Sequence, residues 1–465
     1  AWFGLALRRR GQARGRQARG SLGLRSAASP GPISLGPASL AAASLGAILL
    51  GAVALGAACA PRGPVPSAAT PSTSPPSART AADGAAPDAG EVPPAHPEDA
   101  AASTWAAQTS SPRLAPPHDP ALAPWLALCG EGDAALHEVA RDVAVRRDRD
   151  GAPPDPEWTT YQLRRRGAPY LAPRVWSAEL PASSDVQRDE VAQRLEAWAR
   201  RRSRGILRCG VAEVAREDAT SVLAVVQVDG QGELGALPTQ VAPGQWLEVR
   251  TKLLVAATDV AALVLGPQGP PRPVALNLQG DEWRGRFTVD QPGTWQVQLL
   301  ANGEGGALPI LEAYVHAGAA PRVAPWTLAA PGEAAHRADL SPEDALLAML
   351  NEARRLAGLS PLLPSDALAA LARSHAAALR ARREITHDTG SGNPTRRVEE
   401  AGIPARQVGE NVARAPSALR VHRALWASPS HRANLLFPHF DRVGIGVSWE
   451  GEAMMYVSIL FVDEG

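Results

Sequence analysis

The sequence predicts a multidomain chain of mixed α and β class, and three observations support this prediction. The chain has 465 residues, which exceeds what one hydrophobic core organises and suits two to four domains with linkers. Many of its 43 prolines fall before residue 125, as in a linker. Beyond that point, stretches with helical periodicity flank a stretch of short β segments, which indicates separate folding units.

The N-terminal segment is typical of an export signal. Residues 1–58 contain seven arginines and no acidic residue, and they end in an uncharged apolar stretch. The small residues before Cys59 resemble a bacterial lipobox, although Gly56 occupies the third position before the cysteine, and the expected leucine, Leu55, lies one residue earlier. We therefore predict an export signal over residues 1–59 and a lipid attached to Cys59. An ordinary cleaved signal and an uncleaved membrane anchor are the alternatives. The protein is then extracytoplasmic, with the membrane as its partner through the lipid.

Two segments have the composition of linkers. Residues 60–120 are rich in proline, alanine and serine and poor in bulky apolar residues. They bury too little surface to offset the chain entropy lost on folding, so we predict a disordered tether. Residues 317–339 have a similar composition and predict a second linker.

Residues 121–218 predict a mixed, mostly helical α+β domain without a recognisable catalytic motif. Amphipathic helical patterns occur at residues 133–146 and 191–201. Cys129 and Cys209 also lie in this region, and an oxidising compartment permits them to form a disulfide. The alternative is a pair of buried free thiols.

Residues 221–316 predict an all-β domain. Short β segments follow one another there, separated by turns of glycine, proline and aspartate. This spacing is typical of a β-sandwich, and the segment DQPGTWQVQLLA resembles the penultimate strands of an immunoglobulin-like module, with Trp295 facing inward. Such a module binds or spaces other domains, but its fold alone assigns no function.

Residues 340–465 combine helix and strand signals. Ser341 is a suitable N-cap for an amphipathic helix that opens with proline and two acidic residues. A second amphipathic pattern over residues 365–383 ends just before His387, which is therefore expected in a loop. The apolar segments within residues 443–462 predict a pair of strands.

Six motifs occur in order in this region: MLNEARRLAGLSPL, SHAAAL, ITHDTG, VGENVA, LWASPSHRANLLFPHFDRVGIGV and MMYVSILF. Together they resemble the bacterial branch of the CAP superfamily of SCP-like domains, which is related to pathogenesis-related proteins and cysteine-rich secretory proteins. The resemblance covers residues 340–462, about a quarter of the chain. It implies an α-β-α sandwich with a cleft lined by two histidines and up to two acidic residues.

The resemblance assigns four cleft residues to positions of this sequence. His387 and His431 match the cleft histidines, and Glu410 matches the acidic residue. Asn411 is expected to brace the cleft loop. The second acidic residue of some family members is expected just after Trp426, where this chain has no carboxylate, so a four-ligand metal site is incomplete.

His387, Glu410 and His431 suit three chemical roles. Two neutral imidazoles and a carboxylate are ligands for a divalent metal such as Zn²⁺. The same groups suit acid–base catalysis, because histidine titrates near neutrality. In the third role they hydrogen-bond to one another and fix the surrounding loops. No nucleophile motif accompanies them, so we assign no catalytic residue.

These observations lead to one functional prediction and two alternatives. The chain has 47 basic and 47 acidic residues and no basic stripe, so nucleic acid is not an expected partner. The leading prediction is a secreted or cell-surface lipoprotein that binds an envelope, lipid or glycan ligand without converting it. The alternatives are an extracellular metal-dependent hydrolase of envelope polymers or peptides, and an interaction scaffold with an inactive C-terminal domain.

Overall fold

The computed structural model describes most of the chain from residue 105 onward. The described residues are 2–5, 105–111, 113–152, 154, 156–181, 185–201, 203–303, 306–321, 329–451 and 453–465. Cys59, the rest of the predicted export signal beyond residues 2–5, and residues 60–104 of the predicted tether lie outside them. Within this described part, no helix is both long enough and apolar enough to cross a membrane.

The first domain is a four-stranded sheet with helices on both faces. Two strands precede it in the chain, β1 (Trp2–Leu5) and β2 (Gln108–Thr109). Its elements are α1 (Ala123–Ala127), β3 (Glu131–Gly132), α2 (Ala134–Asp150), α3 (Pro156–Arg165), β4 (Arg174–Leu180), α4 (Asp185–Ala199), β5 (Ile206–Ala215) and β6 (Ser221–Gly230). The strand order is β3-β5-β6-β4. Helix α2 packs on one face, and α1 and α4 cover the other.

Strand β6 corrects the predicted boundary between the first two domains. The sequence pattern predicts Ser221 in the β-sandwich, but the strand that begins at Ser221 pairs with β4 and β5 of the first sheet. Val222 is buried on the α2 side, whereas Leu223 and Val225 are buried on the opposite side. A strand that is apolar on both faces belongs in the middle of a sheet covered by helices on both sides.

A disulfide holds the first domain together. It joins Cys129, in the turn after α1, to Cys209 on β5, with an S–S distance of 1.97 Å and a Cα–Cα distance of 5.9 Å. Both cysteines are buried in the core on the α1 side of the sheet. The cross-link closes a long loop and therefore restricts the unfolded chain.

The second domain consists of two antiparallel sheets around one core. Its strands are β7 (Gly232–Leu234), β8 (Leu237–Pro238), β9 (Gln240–Val241), β10 (Gln245–Leu253), β11 (Asp259–Leu265), β12 (Arg272–Ala275), β13 (Asn277–Gln279), β14 (Glu282–Val289), β15 (Gly293–Gly303) and β16 (Gly306–Ala317). One sheet has the order β13-β14-β10-β7, and the other has the order β12-β11-β15-β16, with β9 added in parallel to β16. Trp295 lies in the shared core and is 2% exposed. We call this domain, residues 232–317, the β-sandwich.

Part of the predicted tether packs against these two domains. The ring of Trp105 contacts Tyr161 of the first domain and His316 of the β-sandwich, with centroid distances of 5.9 and 4.7 Å. Strand β2 pairs with β8. The described residues from Trp105 onward are therefore packed against folded domains, although their composition predicts a tether, because one large aromatic ring buries enough surface to hold them.

The C-terminal domain is a sheet between two layers of helices. Its elements are α5 (Pro342–Leu356), β17 (Leu363–Pro364), α6 (Asp366–Arg382), α7 (Pro394–Glu400), β18 (Gln407–Ala415), α8 (Ala418–Ala427), α9 (Pro429–Leu435), β19 (Arg442–Glu450) and β20 (Met454–Asp463). The strand order is β1-β18-β20-β19-β17. Helices α5 and α8 cover one face, and α6 and α7 cover the other.

Two glycines let α6 lie close to the sheet. A Cβ atom at Gly444 would lie 2.2 Å from the backbone of Leu368, and one at Gly446 would lie 2.1 Å from the backbone of Arg373. Any larger residue on this part of β19 would push the helix away. The close approach fixes α6, and with it the loop that follows α6 and carries His387.

The end of the predicted second linker is docked on the C-terminal domain. Glu333 accepts two hydrogen bonds of 2.7 Å from the Arg423 guanidinium on α8. The Nε2 atom of His422 donates to the carbonyl of Pro331 over 2.8 Å. Burial would raise the pKa of Glu333, but Arg423 outweighs it and lowers this pKa.

Candidate binding site

Three elements of the C-terminal domain carry the predicted cleft residues. Strand β18 carries Glu410 and Asn411, the loop after α6 carries His387, and the first turn of α9 carries His431. All four side chains are buried, with exposures of 4% for His387 and 0% for the others. Since neighbours on a strand face opposite ways, Glu410 and Asn411 point to different sides of β18.

Glu410 accepts hydrogen bonds from three side chains. His387 Nδ1 donates to Oε2, while Arg397 Nη2 and Ser458 Oγ donate to Oε1, each over 2.8 Å. Burial would raise the pKa of Glu410, but the charge of Arg397 and the bond from His387 lower it to about 2. Glu410 is therefore an ionised carboxylate at neutral pH. The guanidinium of Arg397, on α7, balances its charge.

This carboxylate fixes the tautomer of His387. An ionised carboxylate only accepts hydrogen bonds, so the proton of a neutral His387 ring lies on Nδ1. Nε2 then presents a lone pair. It is buried and has no hydrogen-bond partner among the described residues. A buried polar atom without a partner is costly, so its presence in a folded domain needs an explanation.

His375 holds the loop of His387 in place. Its Nε2 donates to the carbonyl of Thr386 over 2.9 Å, and its Nδ1 lies 3.5 Å from the hydroxyl of Thr389. Burial lowers the pKa of His375. His375 is buried, and its role is to position the loop.

Asn411 braces α9 against strand β18. Its Nδ2 donates to the carbonyl of His431 over 3.2 Å, and its Oδ1 accepts from Asn434 Nδ2 over 3.0 Å. The same Asn434 amide donates to the carbonyl of Glu410 over 3.2 Å. The backbone that carries His431 is therefore fixed against strand β18.

A side chain of the β-sandwich forms a hydrogen bond with the first turn of α9. The backbone N–H of Ser430 donates to Gln298 Oε1 of the β-sandwich over 3.0 Å. Ser428, the N-cap residue, makes no capping hydrogen bond with its side chain. Gln298 therefore satisfies one of the N–H groups that a helix start leaves unpaired.

A buried polar chain continues from Gln298 to the first domain. Gln298 Nε2 donates to Glu312 Oε2 over 3.2 Å. The other oxygen of Glu312 accepts from Arg164 Nε over 3.3 Å. Arg164 lies on α3, so this chain links all three domains to the turn that carries His431.

The predicted metal ligands do not fit a metal site. Both oxygens of Glu410 already accept from protein donors, one of which is the guanidinium of Arg397. Within the described ranges, no three His, Cys, Asp or Glu side chains are arranged to hold a metal ion. Glu410 orients His387 and is not placed as a ligand.

A pocket of about 600 Å³ lies beside His387, between the C-terminal domain and the β-sandwich. Thr386, His387, Asp388 and Gly390 line one side of it. Small and apolar residues of the β-sandwich line the other side, and Arg204 of the first domain also contributes. The site is therefore built from more than one domain.

Sequence reasoning missed three residues that shape this site: Arg397, Ser458 and Gln298. Arg397 shares the inner side of a short helix with Pro394 and Val398, and that spacing was the available signal. Ser458 and Gln298 lie within strands, where nothing distinguishes them from other polar residues.

Comparison with known proteins confirms the family resemblance of the C-terminal domain. Residues 347–461 match the model of the cysteine-rich secretory protein family, CAP, and this part of the chain is a CAP domain. No curated protein matches the sequence.

Three solved bacterial structures are similar to parts of the chain. An outer surface protein from Borrelia burgdorferi is 24% identical over 27% of this chain and 93% of its own, with a TM-score of 0.26. An extracellular protein containing an SCP domain from Bacillus anthracis is 15% identical over 50% of this chain and 86% of its own, with a TM-score of 0.24. A cysteine-rich secretory protein from Staphylococcus aureus is 14% identical over 50% and 82%, with a TM-score of 0.23.

Proposed function

We propose that this chain is an extracytoplasmic binding protein whose CAP domain holds a small ligand at His387 without converting it chemically. The observation that carries this proposal is the state of His387 Nε2. It is a buried acceptor without a partner, and Glu410 fixes the ring that bears it. A ligand that donates a hydrogen bond satisfies this atom and removes the cost of its burial.

The disulfide between Cys129 and Cys209 supports a location outside the cytoplasm. Lipid attachment at Cys59, with the membrane as partner, is part of this proposal and rests on the sequence. Mass spectrometry of the protein purified from envelope fractions tests it. We expect a processed N-terminus with a diacylglycerol adduct on Cys59, and a Cys59→Ser variant without the adduct that leaves the membrane fraction. Processing at another residue contradicts the anchor.

The hydrolase alternative has less support in the geometry. It requires a nucleophile or an activated water at His387, yet no hydroxyl or thiol of the described residues hydrogen-bonds Nε2. The Ser458 hydroxyl points instead at Glu410. The scaffold alternative requires that the CAP site bind no ligand. It then offers no hydrogen-bond partner for the buried Nε2 atom of His387.

Nuclear magnetic resonance of the His387 ring tests the proposed function. In the ¹⁵N-histidine-labelled full chain, we expect the ring signals of His387 to move on titration with 1-octanol or N-acetylglucosamine, as lipid-like and glycan-like probes. A His387→Gln variant assigns the signal, and His439→Gln, at an exposed position, is the matched control. A ring signal that neither probe moves favours the scaffold alternative.

A further inference from the structure

One sheet of the β-sandwich turns a polar face to solvent. Strands β10 and β14 pair in the middle of the order β13-β14-β10-β7. Leu247 and Val249 of β10 are buried in the core of the domain, so Trp246 and Glu248 point to the other side of the sheet. Both are exposed, as is Arg286 on β14. We call this side of β10 and β14 the outer face of the β-sandwich.

Trp246 on the outer face is unusually exposed for a tryptophan. It is 60% exposed, more than any other tryptophan that the structure describes in residues 105–465. Tryptophan is highly buried on average, as Trp295 is in the core of the same domain. The indole ring of Trp246 contributes little to the core, and it presents a flat apolar surface with a polar edge to a ligand.

Arg286 lies beside this ring. Its guanidinium carbon is 5.8 Å from the centroid of Trp246. The residue directly opposite Arg286 on β10 is Glu248, whose carboxylate lies 3.7 Å from Arg250 instead. Within the described part of the chain, no carboxylate forms an ion pair with Arg286. Its charge is therefore available to a ligand.

The other cations on this face of β10 and β14 are compensated. They form the ion pairs Arg284–Glu282, Lys252–Asp281 and Arg250–Glu248, over 2.7, 2.9 and 3.7 Å. The outer face therefore has one uncompensated positive charge, and it lies next to the exposed ring of Trp246. This charge favours an anionic group at one place on a surface that is otherwise balanced.

The ring and the guanidinium together suit a sugar that bears a carboxylate. A guanidinium binds a carboxylate through two parallel hydrogen bonds, and the C–H face of a sugar ring packs on a flat indole. Thr288 lies directly opposite Trp246, and Asn277 of β13 lies directly opposite Arg284, so polar side chains are available to sugar hydroxyl groups. A neutral sugar uses only the ring, and a small anion uses only the guanidinium.

We propose that Trp246 and Arg286 form a binding site for an acidic glycan, a saccharide whose units carry carboxylates. Trp246 stacks on one sugar ring, and Arg286 pairs with the carboxylate of that unit. The β-sandwich then attaches the chain to an acidic polysaccharide. This site is separate from His387, and the inference does not depend on the proposed function.

Matched probes and variants test this proposal in the full chain. Tri-galacturonate and its methyl ester have the same sugar rings and differ in the negative charges. Penta-glutamate tests an acidic peptide as the alternative ligand. The variants are Trp246→Ala and Arg286→Gln, with two controls: Trp449→Ala, at an exposed position of the CAP domain, and Arg284→Gln, a paired arginine on the same strand as Arg286. Isothermal titration calorimetry measures Kd, and thermal unfolding checks that each variant folds.

We expect tri-galacturonate to bind about tenfold more tightly than its methyl ester, because only the acid forms the charged pair with Arg286. Arg286→Gln should remove this difference. Trp246→Ala should weaken the binding of both probes by about tenfold, and Trp246→Tyr, which keeps an aromatic ring, should retain most of it. Both controls should bind like the unmodified chain.

Three results overturn the proposal. Absence of binding, or unchanged binding in Trp246→Ala, shows that the ring is not a sugar platform. Equal affinity for the two sugar probes, or an unchanged difference in Arg286→Gln, shows that Arg286 does not recognise a carboxylate. Penta-glutamate that binds as tightly as tri-galacturonate, and is lost in the same two variants, makes the outer face a site for acidic peptides.

Discussion

Two of the places where described residues of the β-sandwich face the CAP domain have opposite character. At Ser430 the contact is closed, since the N–H donates to Gln298 and the polar chain continues through Glu312 to Arg164. At His387 the contact is open, and a pocket of about 600 Å³ separates the two domains. The same pair of domains is therefore bound tightly at one point and held apart at another.

The two contacts differ in whether their polar atoms have hydrogen-bond partners in the protein. At the closed contact the polar atoms named above are paired with protein groups, so nothing remains there for a ligand. At the open contact, His387 Nε2 is buried without a partner among the described residues, although its other nitrogen is bound firmly to Glu410. The closed contact holds the walls of the open one, and the predictions that follow address each contact in turn.

Loss of Arg397 should have the largest effect, because it leaves the buried charge of Glu410 uncompensated beneath the open pocket. We expect Arg397→Met to lower the free energy of unfolding by about 3–5 kcal/mol. Chemical denaturation of Arg397→Met and Arg396→Met measures this, since Arg396 is the exposed neighbour on the same helix. Equal losses in the two variants would falsify the charge-pair argument. Adding Glu410→Gln to Arg397→Met should recover part of the stability.

Removal of Gln298 should open the closed contact. Gln298→Ala leaves the N–H of Ser430 and an oxygen of Glu312 without this partner, for which we expect a loss of about 1–3 kcal/mol in the free energy of unfolding. The exposed Gln279→Ala on β13 is the control and should lie within about 0.5 kcal/mol of the unmodified chain. Octanol binding should weaken in Gln298→Ala alone. Unchanged affinity would show that the closed contact does not hold the pocket wall.

Acidification should weaken the CAP domain through two buried histidines. Burial lowers the pKa of His375 and of His422, so below about pH 6.5 the unfolded chain binds protons that the folded chain does not. The free energy of unfolding therefore falls as the pH decreases from about 6.5 towards the lowered pKa values, by up to about 1.4 kcal/mol per pH unit for each histidine.

Denaturation at several pH values between 7 and 5 measures this slope. His422→Gln keeps an amide donor for the carbonyl of Pro331 and should reduce the slope. His439→Gln, at an exposed position, is the control and should leave the slope unchanged. A slope unchanged by His422→Gln means that His422 does not contribute to the pH dependence of the free energy of unfolding.

Zinc should have the smallest effect, because Glu410 is already bound to Arg397. We expect metal analysis after Zn²⁺ dialysis to find the same low content in the unmodified chain, His387→Ala and His431→Ala. The opposite result is one zinc ion per unmodified chain and none in either histidine variant. It would make the open contact a metal site, with Glu410 orienting one of the ligands.

The sequence by itself determined the features that depend on neighbouring residues. The six ordered motifs identify the CAP domain, and they predict His387, Glu410, Asn411 and His431 as its cleft residues. The Ser341 N-cap and the inward side of Trp295 follow from local patterns, because capping and strand alternation act over a few residues.

Only the tertiary structure decided which distant groups meet. It assigned β6 to the first sheet, because the pairing of β6 with β4 and β5 joins segments that no local pattern connects. It also paired Glu410 with Arg397, and Ser430 with a glutamine 132 residues away in another domain. Burial of these polar groups is acceptable only when a partner is present, and that partner comes from the packing of whole elements. Local patterns name the candidate site residues, while packing determines which protein group each of them contacts.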